Sequence, residues 1–184
     1  GNRKILIDND VVYMEQLAPT FIEIGQYNKD ILDSIGITEE QLIQSPKIVN
    51  TGNSFVIIGV KSEQILSGIN PTMEKIISVS ESLDLVGYYL FTPDTRKKTS
   101  DAATRAFGPR YGINEDAATG MAAGPLACYL FSETELKKEH LRIEQGYLMK
   151  PPSPGEIQVN LEVVDGTIVT LMAGGSAKLS KEIV

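Results

Sequence analysis

The chain has 184 residues, of which 42% are hydrophobic and 22% are charged, and its formal net charge is −7. This length and composition are typical of a soluble globular protein with one large domain or two small ones, and with a core of useful size. The negative charge argues against nucleic acid and anionic membrane surfaces as partners, and no apolar run is long enough to span a membrane.

The first half of the sequence predicts short strands and helices separated by turn residues. The chain begins with predicted strands around a turn at Asp8-Asn9-Asp10, followed by a helix over residues 29–37 that ends near Gly36 and by a helix start at Thr38. Two strands are predicted in 46–62, split by Thr51-Gly52-Asn53, and a helix over 62–69. A helix over 70–83, with Asn70 as its cap and Pro71 in its first turn, and a strand over 85–93 complete this half.

The second half predicts strands on either side of one apolar helix. Its predicted elements are a strand over 104–109, a buried helix over 120–136, and a hairpin over 157–173 that turns at Asp165-Gly166. The small residues of 173–178 predict a bulge or a close backbone approach. Many short strands and few helices together indicate an α+β domain in which strands wrap a helix.

Residues 111–124, "YGINEDAATGMAAG", place acids and then small residues before the predicted buried helix. Thr119 is expected to cap the helix by accepting a hydrogen bond from an amide two or three residues on. The remaining free amides attract anions, and Gly120 has no side chain to keep a ligand carboxylate away from the backbone. The alternative is a capped core helix that is packed by small residues and binds nothing.

Three other features favour structural interpretations. Cys128 lies in the apolar run "PLACYLF" and His140 in a charged stretch, so a buried hydrophobe and an exposed histidine are favoured over a catalytic dyad. One cysteine allows no internal disulfide, which fits a reducing, cytoplasmic compartment, and one cysteine with one histidine makes a zinc site improbable. The basic cluster at residues 96–98 is interpreted as a solvated loop tip.

Residues 104–131, "TRAFGPRYGINEDAATGMAAGPLACYLF", resemble the signature of the PhzF-like (phenazine biosynthesis) family, which has the diaminopimelate-epimerase-like fold. The segments "VNTGNSFVIIGV", "EQGYLMKPPS" and "VTLMAGGSAKLSKEIV" resemble further family segments in the same order. The resemblance implies a sheet barrel wrapped around a central helix, and two such halves with an active site between them. It also implies cofactor-free isomerisation or epimerisation of a small acidic metabolite in a cytoplasmic biosynthetic process.

The chain resembles only the second half of such a protein. Residues 1–20 are then an interdomain strand segment, and 21–184 the C-terminal domain. The catalytic glutamate of the family belongs to the first half, and no residue here matches it. An isomerase is therefore expected only when an N-terminal domain completes the chain, and the expected protein partner is that missing half or a second copy in a homodimer. The alternative is a catalytically incomplete ligand-binding or structural module.

The resemblance assigns site residues one by one. Asp116 matches the active-site aspartate, which supports proton transfer or fixes the substrate. Gly120 matches the glycine whose amide faces the substrate, and Thr119 would shape that loop. Met121 stands where a serine is usual and would contact the substrate with a thioether instead of a hydroxyl. Glu115 is expected to be structural.

Overall fold

A single mixed sheet with helices packed on it makes up residues 2–176, which are the residues that the computed structural model describes. The eleven strands of this range are β1 (Ile5–Asp8), β2 (Val11–Leu17), β3 (Thr20–Glu23), β4 (Lys47–Asn50), β5 (Ser54–Gly59), β6 (Gly87–Thr92), β7 (Ala102–Gly108), β8 (Ile113–Asp116), β9 (His140–Gln145), β10 (Gly155–Val164) and β11 (Thr167–Ser176). The α-helices are α1 (Asn28–Ile35), α2 (Glu63–Gly68), α3 (Met73–Ser82) and α4 (Gly120–Glu133). None of them is both long and apolar enough to cross a membrane.

The strands follow the order β1-β2-β11-β10-β9-β7-β6-β5-β4-β3, and β8 pairs with β7 beside this path. Among the strands of residues 2–176, only the β5–β6 and β7–β9 pairs are parallel. Within residues 2–176 the sheet curves around α4 but does not close, so the sheet barrel wrapped around a central helix is not confirmed. At the gap, one backbone hydrogen bond of 3.0 Å joins Leu17 N of β2 to Thr51 O beyond β4, and no ladder forms there.

Helix α4 lies against the concave face of the sheet and is buried along most of its length. Its mean hydropathy is high because alanines, Leu126, Cys128 and Tyr129 succeed one another, so the helix has no polar face to present to water. It packs against inward-facing residues of β4 to β7 and β9 to β11, and Phe91 meets Tyr129 edge-to-face at 5.8 Å between ring centroids. The predicted buried helix is confirmed.

Helices α1, α2 and α3 cover the opposite face of the central strands. Ile31 and Ile35 of α1, Leu66 of α2 and Ile76 of α3 are fully buried against this face. Strands β5 and β6 therefore carry buried side chains on both faces, which explains their nearly unbroken apolar sequences. The α+β class predicted from the sequence is thus built as helix, sheet and helices in three layers.

Two predicted helix starts differ in the structure. Helix α3 begins at Met73 with Thr72 as its N-cap, so Asn70 does not cap it and Pro71 lies outside it. The Thr72 amide donates to the carbonyl oxygen of Ser34 at 2.7 Å, which ties the preceding segment to α1 and delays the helix. The predicted helix at Thr38 is a single 3₁₀ turn, Glu39–Gln41, because the chain turns extended at Leu42 and bridges to Val60.

The turns follow the sequence closely. Helix α1 ends at Gly36 with a positive φ of 68°, and the β10–β11 hairpin turns at Asp165 and Gly166 with φ of 49° and 76°.

A side chain on Gly174 would overlap the Val12 carbonyl of β2, which confirms a close approach in the first part of 173–178. The rest of that segment, and the predicted domain end at 184, lie outside the described residues. Strands β1 and β2 pair into the same sheet, and the domain boundary at residue 20 stays a prediction.

Candidate functional site

Helix α4 begins shortly after strand β8, which pairs with β7. Strand β8 ends at Asp116, and three residues later Thr119 occupies the N-cap of α4. The Thr119 side chain does not cap the helix, so that prediction is wrong. Its hydroxyl instead donates to Asp116 Oδ2 at 2.8 Å, and the Gln145 Nε2 amide donates to Thr119 Oγ1 at 2.9 Å. The sequence-predicted pair Asp116 and Thr119 is thus brought into direct contact.

Two backbone amides at the start of α4 have no hydrogen-bond acceptor within residues 2–176. The amides of Ala122 and Ala123 donate to the Thr119 carbonyl at 3.1 Å and 3.0 Å. Those of Gly120 and Met121 make no hydrogen bond to residues 2–176. Free amides at the positive end of a helix form an electropositive spot that favours a carboxylate or phosphate.

A cavity of about 430 Å³ opens at these amides. Its lining comprises Arg3, Ile5, Val12, Met14, Glu15, Gln16, Thr51, Gly52, Asn53, Gly120, Met121 and Ala173. A side chain added at Gly120 would meet no atom within 4 Å, so the backbone there is open to a ligand. Met121 is 49% exposed, which leaves its thioether accessible beside the cavity. Asp116 is not among the lining residues.

Gln16 of β2 holds the wall of this cavity together. Its Nε2 donates to the Gly120 carbonyl at 3.0 Å, and its Oε1 accepts from the Thr51 hydroxyl at 2.7 Å. A side chain at Gly124 would overlap the Gln16 amide, so this glycine is required for the bridge. Gln16 was missed from the sequence. Within the α4 sequence, the sole indication of a closely packed neighbour was Gly124, a glycine between alanines and other small residues.

A second, smaller cavity of about 310 Å³ lies on the other side of the α4 start. Glycines dominate it, since Gly120, Gly155, Gly174 and Gly175 all contribute to its lining, with Glu156 as the charged member. The Glu156 carboxylate is paired with Lys97 at 3.2 Å. Backbone is therefore accessible on both sides of Gly120.

Gln145 is the second residue that the sequence interpretation missed. It ends β9, is 1% exposed, and contacts both Asp116 and Thr119 although it lies more than 25 positions further along the chain. Its Oε1 also accepts from the Tyr89 hydroxyl at 2.9 Å. Burial raises the pKa of that hydroxyl, which the nearby negative charge of Asp116 raises further while the Thr104 contact lowers it. The segment "EQGYLMKPPS" carried the signal, but Gln145 was not singled out in it.

Glu115 is held away from the site by Arg105. The two side chains form two hydrogen bonds, Nε to Oε1 at 2.8 Å and Nη2 to Oε2 at 3.0 Å. This geometry agrees with the structural role expected of Glu115. Lys150 lines a separate cavity beside this ion pair and does not reach the start of α4.

The other sequence candidates lie apart from the site. Cys128 is fully buried in the core, where desolvation raises the pKa of its thiol to about 12. His140 is exposed, and its Nδ1 lies 3.0 Å from Asn160 Oδ1. Cys128 and His140 therefore form no dyad. Residues 96–98 are exposed, as predicted for a solvated loop tip, and the buried Glu144 carboxylate anchors the loop by accepting from the amides of Arg96 and Lys97. Within the described range, no cluster of three or more His, Cys, Asp or Glu could hold a metal ion.

Comparisons with known proteins give matches over most of the chain. A family model described as phenazine biosynthesis-like protein, PhzC-PhzF, matches residues 7–182. An uncharacterized isomerase of Deinococcus radiodurans is 29% identical over 178 residues, which are 93% of this chain and 56% of that protein. A trans-2,3-dihydro-3-hydroxyanthranilate isomerase of Pseudomonas chlororaphis is 30% identical over 141 residues, which are 76% of this chain and 47% of that protein.

Solved structures share the fold at lower identity. The crystal structure of a PhzF-family phenazine biosynthesis protein from Bacillus anthracis superposes with a TM-score of 0.76 at 22% identity, over 96% of this chain and 62% of that one. The structure of a predicted epimerase from Pseudomonas aeruginosa gives a TM-score of 0.71 at 21% identity, over 97% of this chain and 62% of that one. The chain therefore spans about half the length of the curated relatives that match most of it.

Proposed function

The chain belongs to the phenazine biosynthesis-like protein family, and on this premise we propose that it forms one wall of the active site of a cofactor-independent isomerase or epimerase. The substrate would be a small acidic metabolite on which the enzyme moves a proton at carbon. Family membership and the isomerase names of the matched relatives support an isomerase-like function in general. The observation that carries the proposal for this chain is the pair of free amides at Gly120 and Met121, which open into a cavity beside the Asp116–Thr119 pair.

The free amides of Gly120 and Met121 would bind the carboxylate of the substrate. A carboxylate that displaces water at Gly120 and Met121 gains two charge-assisted hydrogen bonds and the favourable end of the helix dipole. Gly120 permits the approach because no side chain shields the backbone. Glu15 is the carboxylate that lines this cavity, and the proposed reach of Asp116 to the adjacent carbon of the substrate rests on its contact with Thr119 at the start of the helix.

Asp116 would support the proton transfer in the proposed reaction. An isomerase needs a group that accepts and another that returns a proton, each within hydrogen-bond reach of the reacting carbon. In the proposed enzyme Asp116 is one of these groups or fixes the substrate, and the second comes from an N-terminal domain of the diaminopimelate-epimerase-like kind. In this arrangement the enzyme works without cofactor or metal, as part of a cytoplasmic biosynthetic process.

An apolar face next to the cavity supports the idea of a covering partner. Strands β1 and β2 pair Ile5 with Met14 and Ile7 with Val12, so these four side chains share one face of the hairpin, and all are exposed. Three of them also line the larger cavity. We propose that an N-terminal half or a second copy of the chain covers this face and thereby encloses the site.

The proposal is tested by deuterium incorporation into a candidate acid in heavy water. The chain is mixed with the separately produced N-terminal part of the Deinococcus relative, and trans-2,3-dihydro-3-hydroxyanthranilate is the first probe. We expect exchange or isomerisation by the mixture and a loss of about 100-fold in Asp116→Asn. Asp84→Asn, at a carboxylate that is 91% exposed, is the matched control and should keep full activity. Equal rates in both variants would contradict the role of Asp116.

A ligand-binding module without catalysis is the second candidate, and Met121 favours it. A partly exposed thioether at the cavity offers only a weak acceptor where the family usually has a hydroxyl. Such a module would bind small carboxylates at the α4 amides with no isotope exchange in any mixture. Calorimetry together with the exchange measurement separates the two candidates.

A further inference from the structure

The first turn of α4 is weak by sequence and lacks a side-chain cap. The Thr119 side chain makes no capping hydrogen bond. Gly120 and Gly124 are poor helix formers, because glycine loses the most backbone freedom on folding. Pro125 has no N–H, so the carbonyl of Met121, four residues earlier, receives no helical hydrogen bond. Such a turn frays unless contacts from elsewhere in the chain hold it.

Gln16 of β2 supplies a contact of this kind. Its Nε2 donates to the Gly120 carbonyl at 3.0 Å, within the first turn of α4. The carbonyl can only accept, so it selects this orientation of the Gln16 amide, since the reverse would bring two acceptors together. Gln16 Oε1 then accepts from the hydroxyl of the buried Thr51 at 2.7 Å. One side chain therefore joins β2, the helix start and the segment after β4.

These three elements meet at the gap in the sheet. Strand β2 lies next to one end of the strand path, and β4 lies next to the other end. The hydrogen bond from Leu17 N to Thr51 O crosses the same gap. Residues of β2, of the 51–53 turn and of the α4 start also line the larger cavity. Contacts across the gap therefore determine where the α4 start lies at this cavity.

Gly124 makes room for Gln16 at the expense of helix propensity. Alanine is a better helix former and occupies positions 122, 123 and 127 of the same helix. A Cβ atom at Gly124 would overlap Gln16 Oε1 and crowd the Leu171 side chain of β11. Alanine at position 124 would therefore push Gln16 away from the Gly120 carbonyl.

We propose that Gln16 is a positioning residue that replaces the missing cap of α4 and fixes the direction of the Met121 N–H at the cavity. The Gly120 carbonyl and the Met121 N–H belong to one planar peptide group, so a contact that holds the carbonyl also orients the N–H. A serine or threonine cap would accept from an amide of the first turn, whereas Gln16 occupies none of them. The consequence for ligand binding rests on the proposed function, and the stabilised turn is a property of the chain alone.

The first test is amide hydrogen exchange measured by NMR. The amides of Ala122 and Ala123 donate to the Thr119 carbonyl in the first turn, so their exchange reports fraying of this turn. Gln16→Met keeps the length of the side chain and removes its amide group. We expect it to speed exchange at Ala122 and Ala123 about fivefold, with little change at amides in the middle of α4.

Two further variants accompany this test. Thr51→Val keeps the shape of its side chain but removes the donor to Gln16 Oε1, and should give a smaller acceleration in the same direction. Gln44→Met is the matched control. Its Nε2 donates to the Glu133 carbonyl at 3.1 Å, so the variant loses the same kind of hydrogen bond at the other end of α4 and should leave the first turn unchanged.

The second test is an NMR titration with acetate, followed at the amides of Gly120 and Met121. Gln16→Met should weaken acetate binding about fivefold, because the Met121 N–H must then be oriented at the expense of binding free energy. Gln44→Met should bind acetate as the unmodified chain does. A purely structural role of Gln16 would lower stability in both variants and change the acetate affinity in neither.

Unchanged exchange at Ala122 and Ala123 in folded Gln16→Met overturns the proposal, and so does an equal acceleration throughout α4 or an unchanged acetate affinity. Should Gln16→Met fail to fold, Thr51→Val decides by the same two measurements. If acetate does not bind at Gly120 and Met121 of the unmodified chain, the proposed amide site fails. The exchange rates then still decide whether Gln16 replaces the cap.

Discussion

Arg105 and Glu115 face each other across the β7–β8 pair and form two nearly parallel hydrogen bonds of 2.8 Å and 3.0 Å. The same guanidinium donates through Nη1 to the carbonyl oxygens of Leu66 and Ile69 at the end of α2. One buried cation thus fixes β8 to the sheet and to a helix. Because Asp116 directly follows Glu115, this ion pair also fixes the strand that leads into the site.

Glu115→Ala should therefore lower the free energy of unfolding by about 3 kcal/mol, because it leaves the buried Arg105 charge without its partner. Urea denaturation measures the change. The control is Asp84→Asn, which weakens an exposed pair with Arg110 and should cost under about 0.5 kcal/mol. A loss in Glu115→Ala no larger than in the control would show that the Arg105–Glu115 pair adds nothing to stability.

Alkaline pH should destabilise the chain through its buried acids. Burial raises the pKa of the Cys128 thiol from 9.0 to about 12 and that of the Tyr88 hydroxyl from 10.0 to about 12. Above pH 9 the unfolded chain releases these protons while the folded chain retains them, so the free energy of unfolding falls as pH rises toward 12. We expect these two groups together to cost roughly 3 kcal/mol between pH 8 and pH 10.5 in urea denaturation.

Cys128→Ala is the control for that pH dependence. It creates a small cavity and lowers stability at every pH, but it removes the thiol with the raised pKa and leaves the buried tyrosines in place. The decline between pH 8 and pH 10.5 should therefore be shallower in the variant. A slope equal to that of the unmodified chain would mean that the thiol does not titrate in the unfolded state as expected.

Local patterns in the sequence predicted the turns, most strands and α4, because these depend on neighbouring residues. Gly36 and Asp165-Gly166 are found where a positive φ is needed, and the apolar run after Gly120 forms the buried helix. The sheet barrel is not confirmed, because closure depends on pairing between the two ends of the strand path. Such pairing is a property of the whole sheet that no local pattern encodes.

The candidate site was predictable only in part for the same reason. Asp116, Thr119 and Gly120 are close in sequence, so a motif could bring them forward together. Gln145 and Gln16 reach the same helix start from β9 and β2, and only the folded sheet places them there. The capping role given to Thr119 is not found, and its hydroxyl oxygen instead accepts from Gln145, which is a contact of long sequence separation.

Gly120→Val should weaken the binding of small carboxylates by at least about tenfold and leave the fold intact. The added side chain projects into open space at the cavity, where it shields the free amides without touching the protein. Isothermal titration calorimetry measures the affinity. Gly68→Val is the matched control, since it also places a side chain in open space but at the end of α2. Unchanged affinity in Gly120→Val would argue against an amide anion site.

Met121→Ser should strengthen binding of a small acid or raise kcat/KM in the completed enzyme by about tenfold. The serine offers a hydroxyl donor at the cavity where the thioether offers only a weak acceptor. Because Met121 is half exposed, little packing is lost and the thermal midpoint should move by no more than a few degrees. A variant that folds normally but binds no better would show that the residue at this position does not set affinity.

The apolar face of the β1–β2 hairpin should make the chain self-associate when no N-terminal half is present. Ile7 is 70% exposed and shares this face with Ile5, Val12 and Met14. Burying these side chains against a second molecule gains hydrophobic free energy, whereas a lysine in the centre would have to be desolvated. In sedimentation velocity at tens of micromolar, the chain should form dimers and Ile7→Lys should be largely monomeric.

Val164→Lys is the control for this prediction, since it replaces an exposed apolar residue beside the β10–β11 turn and should leave the dimers intact. Adding an N-terminal half should dissociate the dimers. Ile5, Val12 and Met14 belong to the apolar hairpin face and also line the cavity, so one partner would cover the face and the cavity together. Dimers that persist in Ile7→Lys would place the contact elsewhere. A chain that is monomeric throughout would mean that the hairpin face is stable in water without a partner.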